Sequence, residues 1–155
     1  MVLDQTFALN LSAPFIAQFF TENLLKILPY TDIVFGNETE AEAFATATNY
    51  TGSKTDLIGI AKALAGYEKS NKARERIVVF TNGAKSTTLV AGPNAEAQII
   101  PVKALSNDKI VDTNGAGDAF AGGFLGALVS GKTLGECVHE LGRMCVQEVC
   151  HRTSP

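Results

Sequence analysis

The sequence predicts an α/β protein, in which helices cover a mainly parallel β-sheet that includes one hairpin. Strand-like and helix-like segments alternate through most of the 155 residues. The strand-like segments are short and apolar, as buried parallel strands are, and one of them runs through a glycine-rich turn into a long apolar helix. Hydrophobic residues make up 46% of the chain, which is enough for the core of one domain over residues 1–155.

The first third of the chain predicts two strands and two helices. Residues 6–11 form the first strand, and a helix starts around Pro14, a favoured residue for the first helical turn. We expect one helix from there to about Pro29, because its apolar residues largely follow helical spacing. The second strand, 31–35, is short and apolar, and it leads into a helix over 38–46.

The middle of the chain predicts a helix, a strand and a hairpin. A helix over 55–65 is followed by a charged connection, 68–76, and by the third strand, 77–81. Asn82-Gly83 is a strong signal for a tight hairpin turn. We therefore expect residues 87–91 to return as an antiparallel strand.

The last third predicts two more strands and two helices. Residues 98–102 and 109–111 form the strands, and the second of these opens the glycine-rich turn. The helix that follows runs to about residue 130, and a final helix covers 133 to about 149. An apolar stripe predicts that the final helix packs on the core; its residues are Leu134, Cys137, Val138, Leu141, Cys145 and Val149.

Charge and composition argue against several classes of protein. A formal net charge of -3 without a lysine or arginine cluster disfavours nonspecific nucleic-acid binding. No apolar segment is long enough to span a bilayer, and the first residues lack the basic region of a secretory signal. The three cysteines lie in the last helical segment and do not form a disulfide framework. We expect a cytoplasmic protein, or a nuclear one, without nucleic-acid or membrane partners.

The stretch 112–120 is the strongest candidate for a functional site. It joins a strand to a helix through Gly115 and Gly117, which allow close approach of a ligand to the backbone. The first amides of a helix point outward and carry a partial positive charge, so they can bind an anion such as phosphate. Asp118 falls in the first helical turn, where a carboxylate could accept a proton. A plain strand–helix turn with an acidic first turn is the alternative interpretation.

A second candidate lies where strand 31–35 meets the next helix. Asn37 is an N-cap candidate, and Glu40, three residues later, completes a capping-box pattern. Capping alone explains both residues. A cap at this point would also hold both side chains at the carboxyl end of the sheet, where sites of α/β proteins lie.

The stretch 112–120 closely resembles the signature of the ribokinase-like (PfkB) family of carbohydrate and nucleoside kinases. Residues 10–16 and 35–41 resemble the adenosine-phosphorylating members of that family. The resemblance implies a ribokinase-like layered α/β fold and transfer of the γ-phosphate of ATP to the 5′-hydroxyl of adenosine. It also implies that Asp118 is the general base and that the amides of Gly115, Ala116 and Gly117 form an anion hole.

The resemblance implies further roles for residues outside this stretch. Asn37 and Glu40 would help to order Mg²⁺, its waters and the phosphates, with Glu40 acting through water because magnesium keeps several waters. Thr81 and Gly83 would line the ATP site, although the hairpin turn explains them as well. The implied nucleotide-binding residues are Asn37, Thr81, Gly83, Asn114, Gly115 and Gly117. The implied adenosine contacts are Asn107 and Asp118, and Asn107 also fits a plain loop.

The resemblance covers only the C-terminal half of such a kinase. The N-terminal part, with the lid and the acidic residue that grips the ribose, has no counterpart here. We therefore expect weak activity or none from the isolated chain, because half a site cannot hold both reactants in line. A complete kinase of this kind would be monomeric. Two alternatives stay open: a sugar kinase of the same family, and a non-catalytic nucleotide-binding remnant.

Residues 126–133 match the P-loop pattern G-x-x-x-x-G-K-[ST] in full. A P-loop follows a strand, whereas Gly126 falls inside the helical spacing that starts at the glycine-rich turn. We interpret Gly131 as the end of that helix and Thr133 as the N-cap of the next one. The P-loop is therefore the weaker interpretation of this segment.

Overall fold

The computed structural model describes residues 5–102 and 115–139. The strands are β1 (Ala8–Asn10), β2 (Ile33–Asn37), β3 (Ile77–Asn82), β4 (Ser86–Ala91) and β5 (Gln98–Pro101). The helices are α1 (Pro14–Phe19), α2 (Thr21–Ile27), α3 (Glu38–Ala47), α4 (Leu57–Ala65) and α5 (Ala116–Val129), and a further helix, α6, is described over 134–139. A short 3₁₀ helix, Leu28–Tyr30, follows α2.

The described strands form one five-stranded sheet in the order β1-β2-β3-β4-β5. β2 pairs in parallel with β1 on one side and with β3 on the other. The links from β3 to β4 and from β4 to β5 are too short for a parallel crossover, so these pairs are antiparallel. The sheet is therefore mixed, and the predicted α/β class with a mainly parallel part and a hairpin is confirmed.

The chain divides into two compact units. One comprises Met1–Gly83 with Thr88–Ile99, and the other comprises Ala84–Thr87 with Ile100–Pro155. The prediction of one domain over 1–155 stays a prediction. The Asn37 candidate site lies in the first unit, and the helix that starts after Gly115 lies in the second.

The core of the first unit is built on β2 and β3. Three consecutive residues of each strand are buried, which is the pattern of parallel strands covered on both faces. α1 packs against α3, α3 against α4, and α4 against β3. The largest hydrophobic core members are Leu11, Leu24, Leu28, Phe44, Ile60, Leu64 and Phe80.

The predicted helix from Pro14 to Pro29 is wrong as a single element. Phe20, with φ -124° and ψ 27°, separates α1 from α2, and Pro29 lies within the 3₁₀ helix rather than after the helical segment. The break lets Leu24 and Leu28 face the core while Phe19 stays 78% exposed. Apolar residues continue on both sides of the break, so their spacing alone does not indicate it.

Arg76 anchors the amino ends of β2 and β3, opposite the end that carries Asn37. Its side chain is fully buried at 0% exposure, directly before β3. The guanidinium donates to six backbone carbonyl oxygens, those of Leu28, Thr31, Leu64, Ala65, Tyr67 and Glu68. These carbonyls include the ends of α4 and of the 3₁₀ helix, so one side chain caps several elements.

Candidate functional site

Two neighbouring parallel strands bring Asn37 and Thr81 side by side. Asn37 ends β2 and pairs in register with Thr81 of β3. The Thr81 hydroxyl donates to the Gly36 carbonyl oxygen at 3.5 Å, which ties the ends of the two strands together. The structure therefore places both predicted residues at the carboxyl edge of the parallel sheet, the edge at which α/β proteins bind ligands.

Asn37 and Glu40 form the predicted capping box at the start of α3. The Asn37 Oδ1 atom accepts from the Glu40 amide at 2.9 Å, and Glu40 Oε2 accepts from the Asn37 amide at 3.0 Å. A third bond, from Asn37 Nδ2 to Glu40 Oε1 at 2.9 Å, joins the two side chains. The Thr39 hydroxyl also donates to Asn37 Oδ1, at 2.7 Å. Three hydrogen bonds thus join the two residues, and no described residue accepts from the second N–H of the Asn37 side-chain amide.

The Glu40 carboxylate is buried, with the residue only 6% exposed. Burial raises the pKa of this carboxyl above its ordinary value, and the nearby Glu38 charge adds to that rise. The hydrogen bond from the Asn37 amide acts in the opposite direction and lowers the pKa. A positive charge placed nearby would lower this pKa and favour the ionised carboxylate.

The residues present are compatible with Mg²⁺ held through water. The described residues contain no group of three or more histidine, cysteine or acidic side chains that could hold a metal directly. The Glu40 carboxylate has about four acceptor positions, and Asn37 uses two of them. The remaining positions can accept bonds from metal-bound waters, which is how magnesium commonly meets protein carboxylates.

Gly83 lies in the connection between β3 and β4 and is exposed. Its φ of 49° falls in the left-handed region, which explains a glycine here. The predicted hairpin is present, but its turn covers 83–85, because Asn82 is the last residue of β3. Asn82 keeps its place in the strand, so the Asn-Gly signal marks the hairpin but not the turn type.

The start of α5 has the local geometry that the glycine-rich turn predicts. Gly115 is the N-cap, with φ 81° in the left-handed region. Asp118 lies in the first turn and is exposed, and none of the described residues forms a hydrogen bond or ion pair with its carboxylate. A Cβ added at Gly117 would meet no atom of the described residues within 4 Å. Among the described residues, therefore, none covers Gly117 or bonds the Asp118 carboxylate.

The P-loop interpretation of 126–133 is wrong. Gly126 lies inside α5, so the residues directly before the motif are helical rather than a strand. Gly131, with φ 82°, ends the helix. Its amide donates to the Leu128 carbonyl oxygen at 3.0 Å, and the Lys132 amide donates to the Ala127 carbonyl oxygen at 3.1 Å. These two bonds make a Schellman cap, which occupies the backbone that a phosphate loop would need.

Thr133 is the N-cap of α6, as predicted. Its hydroxyl accepts from the Glu136 amide at 3.3 Å, and the Glu136 carboxylate accepts from the Thr133 amide at 2.8 Å. The Thr133 hydroxyl therefore serves a helix start. In a P-loop that hydroxyl would instead bind a metal ion.

Four predicted features lie outside the described residues. They are Asn107, Asn114, the strand over 109–111 with the first part of the glycine-rich stretch, and the final helix beyond residue 139 with Leu141, Cys145 and Val149. Their proposed roles stay predictions from the sequence.

Gly36 is tightly surrounded, which the motifs of the sequence do not indicate. An ideal Cβ built on it would lie 3.2 Å from Glu40 Oε2 and 3.1 Å from Leu11 Cδ1. The available signal was a glycine inside an apolar strand, immediately before a capping residue.

None of the helices in the described ranges is long and apolar enough to cross a membrane.

Comparison with known proteins connects this site to a kinase family. The family model "pfkB family carbohydrate kinase" matches residues 3–153. The adenosine kinase of Schizophyllum commune is 49% identical over 150 residues, which cover 94% of this chain and 43% of that protein. The adenosine kinase of Schizosaccharomyces pombe is 42% identical over 147 residues, covering 93% of this chain and 42% of that protein.

Similarity in structure agrees with similarity in sequence. The crystal structure of Anopheles gambiae adenosine kinase, in complex with P1,P4-di(adenosine-5) tetraphosphate, matches with a TM-score of 0.91 and 41% identity. That match covers 96% of this chain and 43% of the kinase chain. The chain thus spans less than half the length of the relatives it matches. Because the family model spans nearly the whole sequence, the chain belongs to the pfkB family of carbohydrate kinases.

Proposed function

We propose that this chain supplies the phosphate-binding and proton-accepting part of a kinase that transfers the γ-phosphate of ATP to the 5′-hydroxyl of adenosine. The observation that carries the proposal is the exposed Asp118 carboxylate in the first turn of a helix that starts at a left-handed glycine. The names of the relatives support the choice of acceptor, as does a Schistosoma mansoni adenosine kinase structure described as a complex with adenosine and AMP.

Asp118 would act as the general base. Its carboxylate takes the proton of the 5′-hydroxyl as the new bond between oxygen and phosphorus forms, which leaves ADP and AMP as products. An exposed carboxylate without a protein partner in the described residues is available for this task. A positioned base contributes on the order of 10²–10⁴-fold in rate.

The amides of Gly115, Ala116 and Gly117 would stabilise the charge on the transferring group. Helix N-termini favour anions because their first N–H groups point outward along the helix dipole. Asn114 would contact the nucleotide, and Asn107 the nucleoside, by resemblance to the family. One short segment would thus provide both the N–H groups that stabilise the phosphoryl charge and the carboxylate that accepts the proton.

The first unit would contribute to nucleotide binding. The second side-chain N–H of Asn37, which no described residue accepts, could donate to a phosphate oxygen; Thr81 pairs with Asn37, and Gly83 directly follows the end of β3. Mg²⁺, when bound, would neutralise phosphate charge, and Glu40 would hold its waters. The Glu40 carboxylate, which accepts hydrogen bonds from Asn37, would orient the metal-bound waters and take no part in the proton transfer.

Calorimetry with ATP on the 155-residue chain, followed by an assay with adenosine, tests the proposal. We expect ATP to bind and turnover to be low, because the chain spans less than half of its relatives. Asp118→Asn should keep ATP binding and lower any transfer by about 10²-fold or more. Asp56→Asn, another exposed aspartate, is the matched control and should change neither quantity. Near-normal transfer by the Asp118→Asn chain would remove the base from the mechanism.

A panel of phosphate acceptors separates adenosine from the sugar alternative. Adenosine, ribose and fructose are offered at equal concentration with ATP, and product is followed as ADP. We expect adenosine to give the highest rate. Preference for either sugar would replace the proposed acceptor while keeping the chemistry.

The partial coverage of the relatives favours a second candidate, a nucleotide-binding module without catalytic turnover. This candidate predicts ATP binding that is unaffected by adenosine and no product at any enzyme concentration. Measurable AMP from adenosine, lost in the Asp118→Asn chain, would exclude it.

A further inference from the structure

Gly36 is the penultimate residue of β2, directly before Asn37. A glycine inside a strand weakens the strand. Glycine gives the unfolded chain more conformational entropy, and it provides no side chain to pack. Its φ is outside the left-handed region, so backbone conformation does not demand a glycine. We therefore attribute the glycine at position 36 to the lack of space for a Cβ atom.

Three side chains surround that space. An ideal Cβ on Gly36 would lie 3.1 Å from Leu11 Cδ1, 3.2 Å from Glu40 Oε2 and 3.3 Å from Phe80 Cε1. All three distances are shorter than ordinary contacts of a methyl carbon. One of the neighbours has to move if any side chain is introduced.

The Glu40 carboxylate is the neighbour with the lowest cost of movement. Leu11 and Phe80 are 1% and 0% exposed and belong to the densely packed core, where small displacements strain other side chains. Glu40 has rotatable side-chain bonds and is held in place by two hydrogen bonds from Asn37. The required shift is only a few tenths of an ångström, and the carboxylate is the far end of a flexible side chain, so we expect it to move first.

We propose that Gly36 is a positioning residue, whose missing side chain lets the Glu40 carboxylate lie across the end of β2 against the Asn37 amide. This inference rests on the proposed function, because it concerns the place of Glu40 beside the phosphates and their cation. Binding groups have to be held within about 0.5 Å of their working geometry. A methyl at position 36 would shift the carboxylate by an amount of this order and disturb the waters that it holds.

Amide hydrogen exchange on the 155-residue chain tests the positioning directly. In Gly36→Ala, the Asn37 amide, which donates to the carboxylate, should exchange about fivefold faster or more, the factor for one lost net hydrogen bond. The Glu40 amide donates to Asn37 Oδ1 rather than to the carboxylate, so its exchange should stay unchanged. Gly122→Ala is the control, because its Cβ would meet no described atom within 4 Å.

Two results of this experiment would overturn the proposal. Faster exchange at both amides would mean that the start of α3 has loosened, which is a merely structural effect. Unchanged exchange at both amides would mean that Leu11 or Phe80 yields instead of the carboxylate.

Calorimetry adds a functional readout that a structural role would not produce. ATP is titrated into wild-type and Gly36→Ala chains, without Mg²⁺ and at increasing MgCl₂. We expect equal affinity without the metal and about a tenfold higher Mg²⁺ requirement in the variant, as for loss of an outer-shell partner. Equal Mg²⁺ dependence would overturn the proposal. If the wild-type chain binds no ATP, the proposed function fails, and the exchange experiment alone still decides whether Gly36 positions Glu40.

Discussion

Replacement of Arg76 by methionine should strongly destabilise the chain. The guanidinium is buried and bonds six backbone carbonyl oxygens from two segments of the sequence, 28–31 and 64–68. Methionine keeps most of the apolar stem but none of the donors. The effect therefore isolates the hydrogen bonds from the packing.

The size of the effect follows from the partners that each carbonyl retains. Leu28 O and Leu64 O also accept from backbone amides, and Glu68 is exposed to water. Thr31 O, Ala65 O and Tyr67 O have no second donor among the described residues, and of these three Thr31 and Ala65 are buried whereas Tyr67 is partly exposed. An unsatisfied buried carbonyl costs about 1–3 kcal/mol, so two of them correspond to about 2–6 kcal/mol.

The charge itself partly offsets this loss. Burial lowers the pKa of the Arg76 guanidinium, which means that the folded chain holds the cation at a cost that methionine does not carry. We therefore expect the lower half of the range, about 2–4 kcal/mol, which is a large part of the usual 5–15 kcal/mol stability of a domain.

Urea unfolding followed by far-ultraviolet circular dichroism measures this quantity. Lys26→Met, at an exposed position of α2, is the matched control and should change the free energy of unfolding by less than about 0.5 kcal/mol. A loss below about 1 kcal/mol in Arg76→Met would refute the reasoning, because it would mean that the carbonyls find other donors.

Three further predictions concern caps and charge, each measured by urea unfolding. Asn37→Ala should lower the free energy of unfolding by about 1 kcal/mol through loss of the N-cap, and an unchanged value would mean that the cap is not formed. Burial raises the pKa of the Asp32 carboxyl, but hydrogen bonds from Lys69 and the Phe7 amide and the nearby positive charges hold it below its ordinary value. Because the folded pKa lies below the unfolded one, Asp32 stabilises the chain above about pH 4 and loses this effect as the pH falls through the folded pKa. In Asp32→Asn, the free energy of unfolding should fall less steeply as the pH is lowered below about 4. An equally steep fall would contradict the stabilising role of the Asp32 carboxylate. Gly131→Ala should lower the free energy of unfolding by about 1 kcal/mol, because the φ of residue 131 is 82°. Gly122→Ala, inside α5, should raise it by about 0.5–1 kcal/mol. Effects of the same sign would contradict the role of Gly131 as the C-terminal cap of α5.

Local features of the fold could be predicted because their partners are close in sequence. The capping boxes at Asn37 and Thr133 each join residues three positions apart, so the sequence pattern contains the whole interaction. The same holds for Gly131, whose left-handed conformation ends α5 two residues after its last helical residue. The strands β2 and β3 were predictable from their apolar composition, which their burial confirms.

Features that depend on distant partners could not be predicted in the same way. Arg76 is the last residue of 68–76, a segment that the sequence predicts to be a charged connection. Its side chain is nevertheless fully buried, and it donates to carbonyl oxygens up to 48 residues away in the sequence. The break at Phe20 depends on how Leu24 and Leu28 pack in the core, which apolar spacing does not reveal. The crowding at Gly36 involves Leu11 and Phe80, which only the folded sheet brings to it.

The candidate site was predicted in part from its own residues and in part by resemblance. Glycines at a strand–helix turn and an acidic first turn indicate an anion site near a base, but they do not identify the anion. The family resemblance supplied the phosphate, the acceptor and the cation. The roles of Asn107 and Asn114 stay predictions, because these residues lie outside the described part of the chain.

The central claim is that the first amides of α5 bind the transferring phosphate beside Asp118. A nitrogen-15 correlation spectrum of the labelled chain, recorded while ATP and MgCl₂ are added, tests it most directly. The account predicts that the amide resonances of Gly115, Gly117 and Asp118 move with increasing ATP, and that those of 126–133 do not. Saturable movement confined to 126–133, or no movement at the start of α5 while ATP binds, would contradict it.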